Sequence, residues 1–182
     1  MTRTFFHENI IQYDNRPFSS IGEMHEKVIE NWNARVHKGD TVYHIGDFAL
    51  TWKKSDTEKV ETILSSLNGQ KHLIIGNHDR DPCIKARGWA STQHYKELKF
   101  DFGDVHKQRI VMFHYALRTW NQSHRGSWML HGHSHGQLSD IGGKTMDAGC
   151  MLHNYAPINI DEIEEFMSSR PAVAVDHHIP EE

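Results

Sequence analysis

The sequence predicts an α/β layered fold, because helical and strand patterns alternate along the chain. Capping-box sequences followed by apolar residues at helical spacing predict the helices, and short apolar runs that stop at glycine predict the strands. The chain has 182 residues, of which 37% are hydrophobic, so it has room for one packed domain but hardly for two. We predict a single domain over residues 1–170 and a loose C-terminal tail over 171–182.

In the first half of the chain, two predicted helices alternate with two predicted strands. Ser20 and Glu23 have the Ser-x-x-Glu spacing of a capping box, and so do Ser55 and Glu58. Apolar residues at helical spacing follow both boxes, and a glycine-containing break precedes each strand. The predicted elements are helices at 20–36 and 55–67 and strands at 41–45 and 71–75.

The second half of the chain is predicted to consist mainly of strands. The turn-prone Asp-Phe-Gly-Asp sequence at 101–104 separates two of them. The predicted elements are a short helix at 82–87, strands at 93–100, 108–113, 128–130, 144–146 and 157–160, and a closing helix at 161–167.

Charge and composition exclude several classes of protein. Lys plus Arg is 20 and Asp plus Glu is 24, which gives a net charge of −4 and argues against a protein that coats nucleic acid or an anionic membrane. Nucleic acid is expected only as a substrate. The sequence has no long apolar run and no signal-peptide core after its first residues, so we predict no membrane partner and a cytoplasmic location. Cys83 and Cys150 lack paired spacing and are predicted to be reduced thiols. The sequence does not indicate an oligomeric state.

Polar residues that can hold a metal or a proton follow four predicted strands. Histidine is unusually frequent, with 16 among 182 residues. In α/β sheets, ligands gather beyond the carboxyl ends of strands, so these residues are expected to face one cleft. Carboxylate, amide and imidazole groups together suit a borderline divalent ion such as Mn, Fe, Ni or Zn, and not a thiolate-rich structural zinc site. The candidate ligands are Asp47, Asn77, His114, His133 and His135.

Each of these residues has a simpler explanation when it is taken alone. A Gly-Asp or Gly-Asn pair is an ordinary turn sequence. His114 alone would be a partly buried histidine, and the stretch 131–135 a solvated loop. The whole set at successive strand ends favours a metal site, and a purely structural protein explains none of it.

The same residues resemble the later motifs of a known family. The Gly-Asp at 46–47, the Gly-Asn-His-Asp at 76–79, His114 and the Gly-His-Ser-His at 132–135 are similar to those of the calcineurin-like metallophosphoesterases. The likeness runs over about residues 5–160 and indicates a small, single-domain branch. It implies a four-layer sandwich, in which two mixed β-sheets pack face to face with helices outside. The Asn-Arg-Pro-Phe at 15–18 and the Asn-Trp-Asn at 31–33 indicate the same branch.

The resemblance also implies roles for individual residues. His78 would lie beside the scissile phosphate, as a general acid or as a donor to its oxygens. A solvated position is the simpler explanation for Arg118. The implied metal ligands are Asp47, which would bridge two ions, Asn77, His114 and His133, which would complete one site, and His135, which would serve the other. The candidate substrate contacts are His7, Tyr115, Arg118 and His124.

The first motif of the family, a strand that ends in Asp-x-His, is absent. When the chain is aligned on residues 7–10, Thr2 and Thr4 occupy the two ligand positions. Loss of that strand would leave an unpaired sheet edge. Two explanations stay open. Either a longer natural form supplies the strand and its ligands, or the chain is a variant with one good metal site and one impaired site, where His7 is a candidate substitute.

The leading functional hypothesis is a phosphoric ester hydrolase with one or two divalent transition-metal ions. It would hydrolyse a phosphomonoester or phosphodiester by attack of a metal-bound hydroxide, and loss of the first motif would impair it. The alternative is a degenerate, non-catalytic module that binds metal or phosphate. A nuclease is weakly supported, since the net charge is negative and no basic stripe stands out.

Overall fold

The computed structural model describes residues 5–104, 106–140 and 142–173, which form two β-sheets with helices around them. The first sheet has the order β1-β2-β3 and is parallel throughout. The second has the order β4-β5-β6-β7, with β4 antiparallel to β5 and the other pairs parallel. The strands are β1 (Thr41–Ile45), β2 (Gln70–Ile74), β3 (Trp89–Gln93), β4 (Tyr95–Asp101), β5 (Lys107–Phe113), β6 (Trp128–His131) and β7 (Thr145–Asp147).

The helices explain why the first sheet is parallel and not mixed as expected. Parallel neighbours need a crossover connection, and a helix links β1 to β2 and another links β2 to β3. None of the described helices is both long and apolar enough to cross a membrane. The helices are α1 (Ile10–Tyr13), α2 (Ile21–Arg35), α3 (Asp56–Ser66), α4 (Asp81–Ile84) and α5 (Ile160–Ser168), with 3-10 helices at Ser123–Arg125 and Cys150–His153.

Of the two predicted capping boxes, one is partly confirmed and the other is wrong. Ser20 accepts a hydrogen bond from the Glu23 N–H at 3.2 Å, as expected for the start of α2. Ser55 makes no capping bond, since its backbone is already helical. The Asp56 carboxylate instead accepts the backbone N–H groups of Trp52 and Lys53. The helix was therefore predicted correctly, but a different residue fixes its start.

Two of the predicted strands in the second half are wrong in detail. Residues 157–159 form no strand, because Asn159 caps α5: its side chain accepts the Glu162 N–H, and the Glu162 carboxylate accepts the Asn159 N–H. The segment predicted as one strand at 93–100 divides between two sheets. Its first residue ends β3, His94 lies between the two strands, and residues 95–100 belong to β4.

The first sheet buries both of its faces. Val42 and Leu73 point into an apolar cluster with α2 and α3. Ile45 and Ile74 point the other way, into a cluster shared with the inner face of the second sheet. α5 contributes to this second cluster through Ile163 and Met167. Because both faces are covered, the polar residues that follow the strands gather at the carboxyl edge.

Among the described residues, β1 is an edge strand of the first sheet. Phe5 continues this edge with an isolated parallel bridge to Ala49, and a cavity of about 1010 Å³ lies along β1 between the two sheets. Thr2 and Thr4 lie outside the described residues, as does the tail beyond residue 173. The expected lack of a first strand therefore stays a prediction.

Leu73 tests the packing of this core. The side chain is fully buried between the first sheet and its helices. We expect Leu73→Ala to lower the free energy of unfolding by about 2–5 kcal/mol, since it removes buried methyl groups and leaves a cavity. The measurement is urea denaturation followed by circular dichroism. Leu138, which is 47% exposed, is the matched control, and Leu138→Ala should change the unfolding free energy by about 0.5 kcal/mol or less. Equal effects at the two positions would contradict this packing.

Candidate metal centre

Four residues from four different strand ends meet at one place. Ligand atoms of Asp47, His114 and His133 all lie within 4.8 Å of one another. The Asn77 Oδ1 atom is 3.0 Å from His114 Nε2 and 3.1 Å from His133 Nδ1. The structure thus brings together the four residues that the sequence predicted for one metal site. Asp47 and His114 are buried, whereas Asn77 and His133 are exposed.

The hydrogen bond of His114 to the backbone fixes which ring nitrogen faces the centre. Nδ1 lies 3.1 Å from the Ile45 carbonyl oxygen, and because a carbonyl only accepts, Nδ1 must carry a proton. Nε2 lies 3.5 Å from Asp47 Oδ2 and close to Asn77 Oδ1. In a neutral imidazole, Nε2 is then the nitrogen with the lone pair, and it is available as a ligand.

The chemistry of these atoms fits a divalent cation. A carboxylate oxygen, an amide oxygen and two imidazole nitrogens converge, and acceptor atoms at this distance repel one another unless a proton or a cation lies between them. Nitrogen and oxygen donors without thiolate suit borderline ions such as Mn, Fe, Ni or Zn. Asp47, Asn77, His114 and His133 are therefore the residues that would hold the ion.

Backbone conformation brings these side chains out of the sheet edge. Asp47, His133 and His135 all have positive φ angles, of 55°, 65° and 52°, a region that non-glycine residues rarely adopt and that often marks functional sites. Gly46 has a φ of 79°, and a Cβ atom there would overlap the His114 imidazole. A Cβ atom on Gly76 would overlap the Asp47 carboxylate. The two glycines let the loops approach closely enough to form the centre.

Asp79 joins the two loops that carry Asp47 and Asn77. Its carboxylate accepts the N–H groups of Asp47 and Phe48 at 2.8 Å and of Gly76 at 2.9 Å. Burial raises the pKa of Asp79 above its usual value, although the backbone donors act in the opposite direction. Asp79 closes the Gly-Asn-His-Asp motif at 76–79, but the sequence alone predicted no role for it.

A buried thiol lies on the far side of Asp79. Cys83 donates a hydrogen bond from Sγ to Asp79 Oδ1 at 3.4 Å. Cys83 and Cys150 are both buried thiols that form no disulfide, which agrees with the prediction of reduced thiols. Burial, together with the nearby negative charge of Asp79, raises the pKa of the Cys83 thiol strongly. Among the described residues, Cys83 does not belong to the ligand group formed by Asp47, His114 and His133.

The candidate ligands influence each other's ionisation. Burial on its own would raise the pKa of Asp47, but the hydrogen bond and charge of His114, with the His78 N–H, lower it overall. The pKa of His133 is lowered, first by burial and then by the neighbouring His114. Both shifts favour the forms that bind metal, a charged carboxylate and a neutral imidazole.

Two further predicted residues lie beside the centre with other contacts. The His78 backbone N–H donates to Asp47 Oδ1 at 2.9 Å. His135 Nδ1 lies 2.9 Å from both carboxylate oxygens of Asp14, and His135 is not part of the group of three formed by Asp47, His114 and His133. Its role as a ligand of a second ion stays a prediction.

The candidate substrate contacts are spread more widely. His7 is buried at 5% exposure, with its ring 6.0 Å from that of Tyr13. Tyr115 is 41% exposed, and its ring lies 4.6 Å from the ring of His133. Arg118 is exposed, and His124 lies in the 3-10 helix Ser123–Arg125. Tyr115 therefore lies beside the centre, next to His114 and His133.

Comparison with known proteins agrees with this geometry. A family model described as calcineurin-like phosphoesterase matches residues 7–182. The chain belongs to the calcineurin-like phosphoesterase family. Membership agrees with a centre able to hold a metal ion, and the family typically binds divalent metals.

The chain is also similar to individual proteins. It is 30% identical over 175 residues to protein MJ1445 of Methanocaldococcus jannaschii, covering 93% of this chain and 89% of that one. It is 26% identical over 129 residues to the Gene 66 protein of Mycobacterium phage D29, covering 60% and 64%. The solved structure of AQ665 from Aquifex aeolicus, a protein of unknown function, has a TM-score of 0.67 and 22% identity, covering 91% of this chain and 96% of that one. This last likeness shows the fold.

Gly76 tests how closely the loops must approach. In Gly76→Ala, the new Cβ would overlap Asp47 and lie 2.9 Å from His114. We expect loss of about 1–3 kcal/mol of unfolding free energy and at least tenfold weaker Mn²⁺ binding by titration calorimetry. At Gly39, a Cβ would have nothing within 4 Å, so Gly39→Ala should leave Mn²⁺ affinity unchanged. Unchanged affinity in Gly76→Ala would contradict the described approach.

Asp79 tests the connection between the loops. In Asp79→Asn, the amide NH₂ group replaces one acceptor and faces a backbone donor. We expect a loss of about 1–3 kcal/mol in urea denaturation, the typical effect of leaving a buried hydrogen-bond group unpaired. Asp81 is exposed and pairs with Lys85, so Asp81→Asn should have an effect of about 0.5 kcal/mol or less. A stable Asp79→Asn variant would show that the loops do not depend on this carboxylate.

Proposed function

We propose that this protein is a metal-dependent phosphoric ester hydrolase that acts on a phosphomonoester or a phosphodiester. The observation that carries the proposal is the convergence of Asp47, Asn77, His114 and His133 in a chain that matches the calcineurin-like phosphoesterase model over residues 7–182. The proposed substrate is a phosphate ester, and nucleic acid is proposed only as such a substrate and not as a binding partner. Cys83 and Cys150 are buried and form no disulfide, which agrees with a reducing compartment such as the cytoplasm.

The four converging residues would hold one divalent ion, of manganese, iron, nickel or zinc. When bound, such an ion neutralises negative charge on the phosphate ester and lowers the pKa of a coordinated water. Asp47 supplies the negative charge that the cation needs, and its contacts with His114 and the His78 N–H hold the carboxylate in place. The Ile45 carbonyl orients His114 so that Nε2 faces the other candidate ligands.

His78 would supply the proton for the leaving group. Its backbone is tied to the Asp47 carboxylate, which places the residue at the border of the centre, and its side chain is partly exposed. A histidine at such a position can donate to the departing oxygen. Tyr115, beside His133, together with His7, Arg118 and His124, would contact the rest of the substrate.

A non-catalytic metal-binding module of the same fold is the second candidate. This candidate is favoured because the described residues contain one group of three possible metal ligands, Asp47, His114 and His133. His135, the predicted ligand of a second ion, contacts Asp14. A single ion can act as a Lewis acid, but it lacks the symmetric clamp that two ions provide.

Turnover by the Mn²⁺-loaded protein separates the candidates. We expect hydrolysis of p-nitrophenyl phosphate or bis-p-nitrophenyl phosphate, measured as kcat/KM. His78→Ala should lower kcat by about 10²–10⁴-fold, because the proton donor is lost, while the amount of bound Mn²⁺ is unchanged. Asp47→Asn should lose both activity and Mn²⁺ binding. Asp140 pairs with Arg170 and is exposed, so Asp140→Asn serves as the control with unchanged kinetics.

Each outcome of this experiment supports or contradicts the hydrolase or the non-catalytic module. Bound Mn²⁺ without turnover of either substrate would support the non-catalytic module. Turnover that survives Asp47→Asn would contradict the proposed centre. Absence of bound Mn²⁺, Ni²⁺ or Zn²⁺ in metal analysis would contradict both candidates.

A further inference from the structure

Two buried charged side chains, Arg16 and Asp14, connect to His135. Neither belongs to the ligand group formed by Asp47, His114 and His133. Arg16 donates to Asp14 Oδ2 from Nη2 at 2.8 Å and from Nε at 3.2 Å. Asp14 in turn lies 2.9 Å from His135 Nδ1 through both of its oxygens. The side chains of Arg16 and Asp14 are only 1% and 6% exposed. Charged side chains are rarely buried this completely unless they are paired.

The hydrogen-bonding capacities of these groups fix the tautomer of His135. A carboxylate paired with a guanidinium is ionised and can only accept. His135 Nδ1 must therefore carry the proton in its contact with Asp14. The remaining nitrogen, Nε2, is then the lone-pair atom of the neutral ring. A carboxylate that orients a histidine in this way is the usual support of a metal-binding imidazole.

The backbone around His135 has an uncommon conformation. The residue has a positive φ of 52°, two positions after His133, which is also left-handed. The adjacent Gly136 N–H is held by Asp147 at 3.0 Å. The side chain of His135 is 24% exposed, and its Nδ1 atom is in contact with the Asp14 carboxylate.

We infer that Asp14, held in turn by Arg16, is the positioning residue of His135 and presents Nε2 of that histidine to a cation beside the centre. This inference rests on the proposed metal site but not on turnover. Asp14 is not itself assigned as a ligand, since among the described residues Asp14 and His135 belong to no group of three ligand atoms.

The tautomer of His135 can be read in the metal-free protein. Long-range ¹H–¹⁵N correlation spectra distinguish Nδ1–H from Nε2–H, and comparison with His135→Gln identifies the signals among the 16 histidines. We expect Nδ1–H in the unmodified protein and a mixture of tautomers in Asp14→Asn. His135 protonated at Nε2 alone in the unmodified protein would overturn the inference, whatever the protein's activity.

Metal affinity tests whether Asp14 acts through His135. We expect Asp14→Asn to weaken Mn²⁺ binding by about 10–100-fold, the usual effect of removing the partner of a metal-binding histidine. In a His135→Gln background, Asp14→Asn should change the Mn²⁺ Kd by less than about twofold, because the two effects are not independent. Equal weakening in both backgrounds, or an unchanged Kd in the single variant, would overturn the inference. Asp140→Asn, which removes the acid of another Arg–Asp pair, is the matched control.

A second variant keeps the test valid if Asp14→Asn does not fold. Asp14→Asn leaves the buried Arg16 without its carboxylate, which can be strongly destabilising. The double variant Asp14→Asn/Arg16→Met removes both charges, and circular dichroism will show whether it folds. We expect it to bind Mn²⁺ about 10–100-fold more weakly than the unmodified protein. If the folded double variant binds Mn²⁺ as tightly as the unmodified protein, Asp14 does not position His135. If the unmodified protein binds no Mn²⁺, the proposed function fails, and the tautomer measurement still decides this inference.

Discussion

The carboxylate of Asp79 is the interaction on which the candidate centre depends. It holds N–H groups from the loop after β1 and from the loop after β2, so two loops that are separate in sequence keep a fixed relative position. Because the carboxylate is buried, water competes weakly for these donors. Asp47 and Asn77 are therefore positioned before a cation arrives, and the rare backbone angle of Asp47 is sustained by contacts on both sides. A rigid ligand set of this kind is what a precise metal site requires.

Much of the fold could be predicted from the sequence, because the main helices and strands have clear local sequence patterns. β1 was predicted with its observed bounds, and α2 and α3 within a residue at each end. The errors occur where local signals conflict with tertiary ones. Residues 157–159 are apolar enough for a strand, yet the capping box of Asn159 turns them into the approach to α5. The sequence of β3 is half polar and does not by itself predict a strand. The segment is a strand because it pairs with β2.

The candidate site divides in the same way. Asp47, Asn77, His114 and His133 could be predicted because a polar residue after an apolar strand is a local pattern, and parallel strands end at a common edge. The contact between Asp14 and His135 spans 121 positions, and no periodicity links the two residues. The role of Asp79 was not predicted for another reason. Its carboxylate binds backbone N–H groups, which every sequence contains, so the pattern of side chains does not identify its partners.

The buried position of the Cys83 thiol has a consequence for its oxidation. Sulfur binds soft ions such as Cu(I) as thiolate, and thiolate is also the form that peroxide oxidises. The shielded position of Cys83 behind Asp79 keeps it in the inert form. The Asp79 carboxylate lies between the sulfur and the candidate ligand Asp47, since its Oδ1 accepts from the thiol and its Oδ2 accepts from the Asp47 N–H. A buried thiol that keeps its proton reacts slowly with peroxide, so we expect Cys83 to resist oxidation although it lies close to the candidate centre.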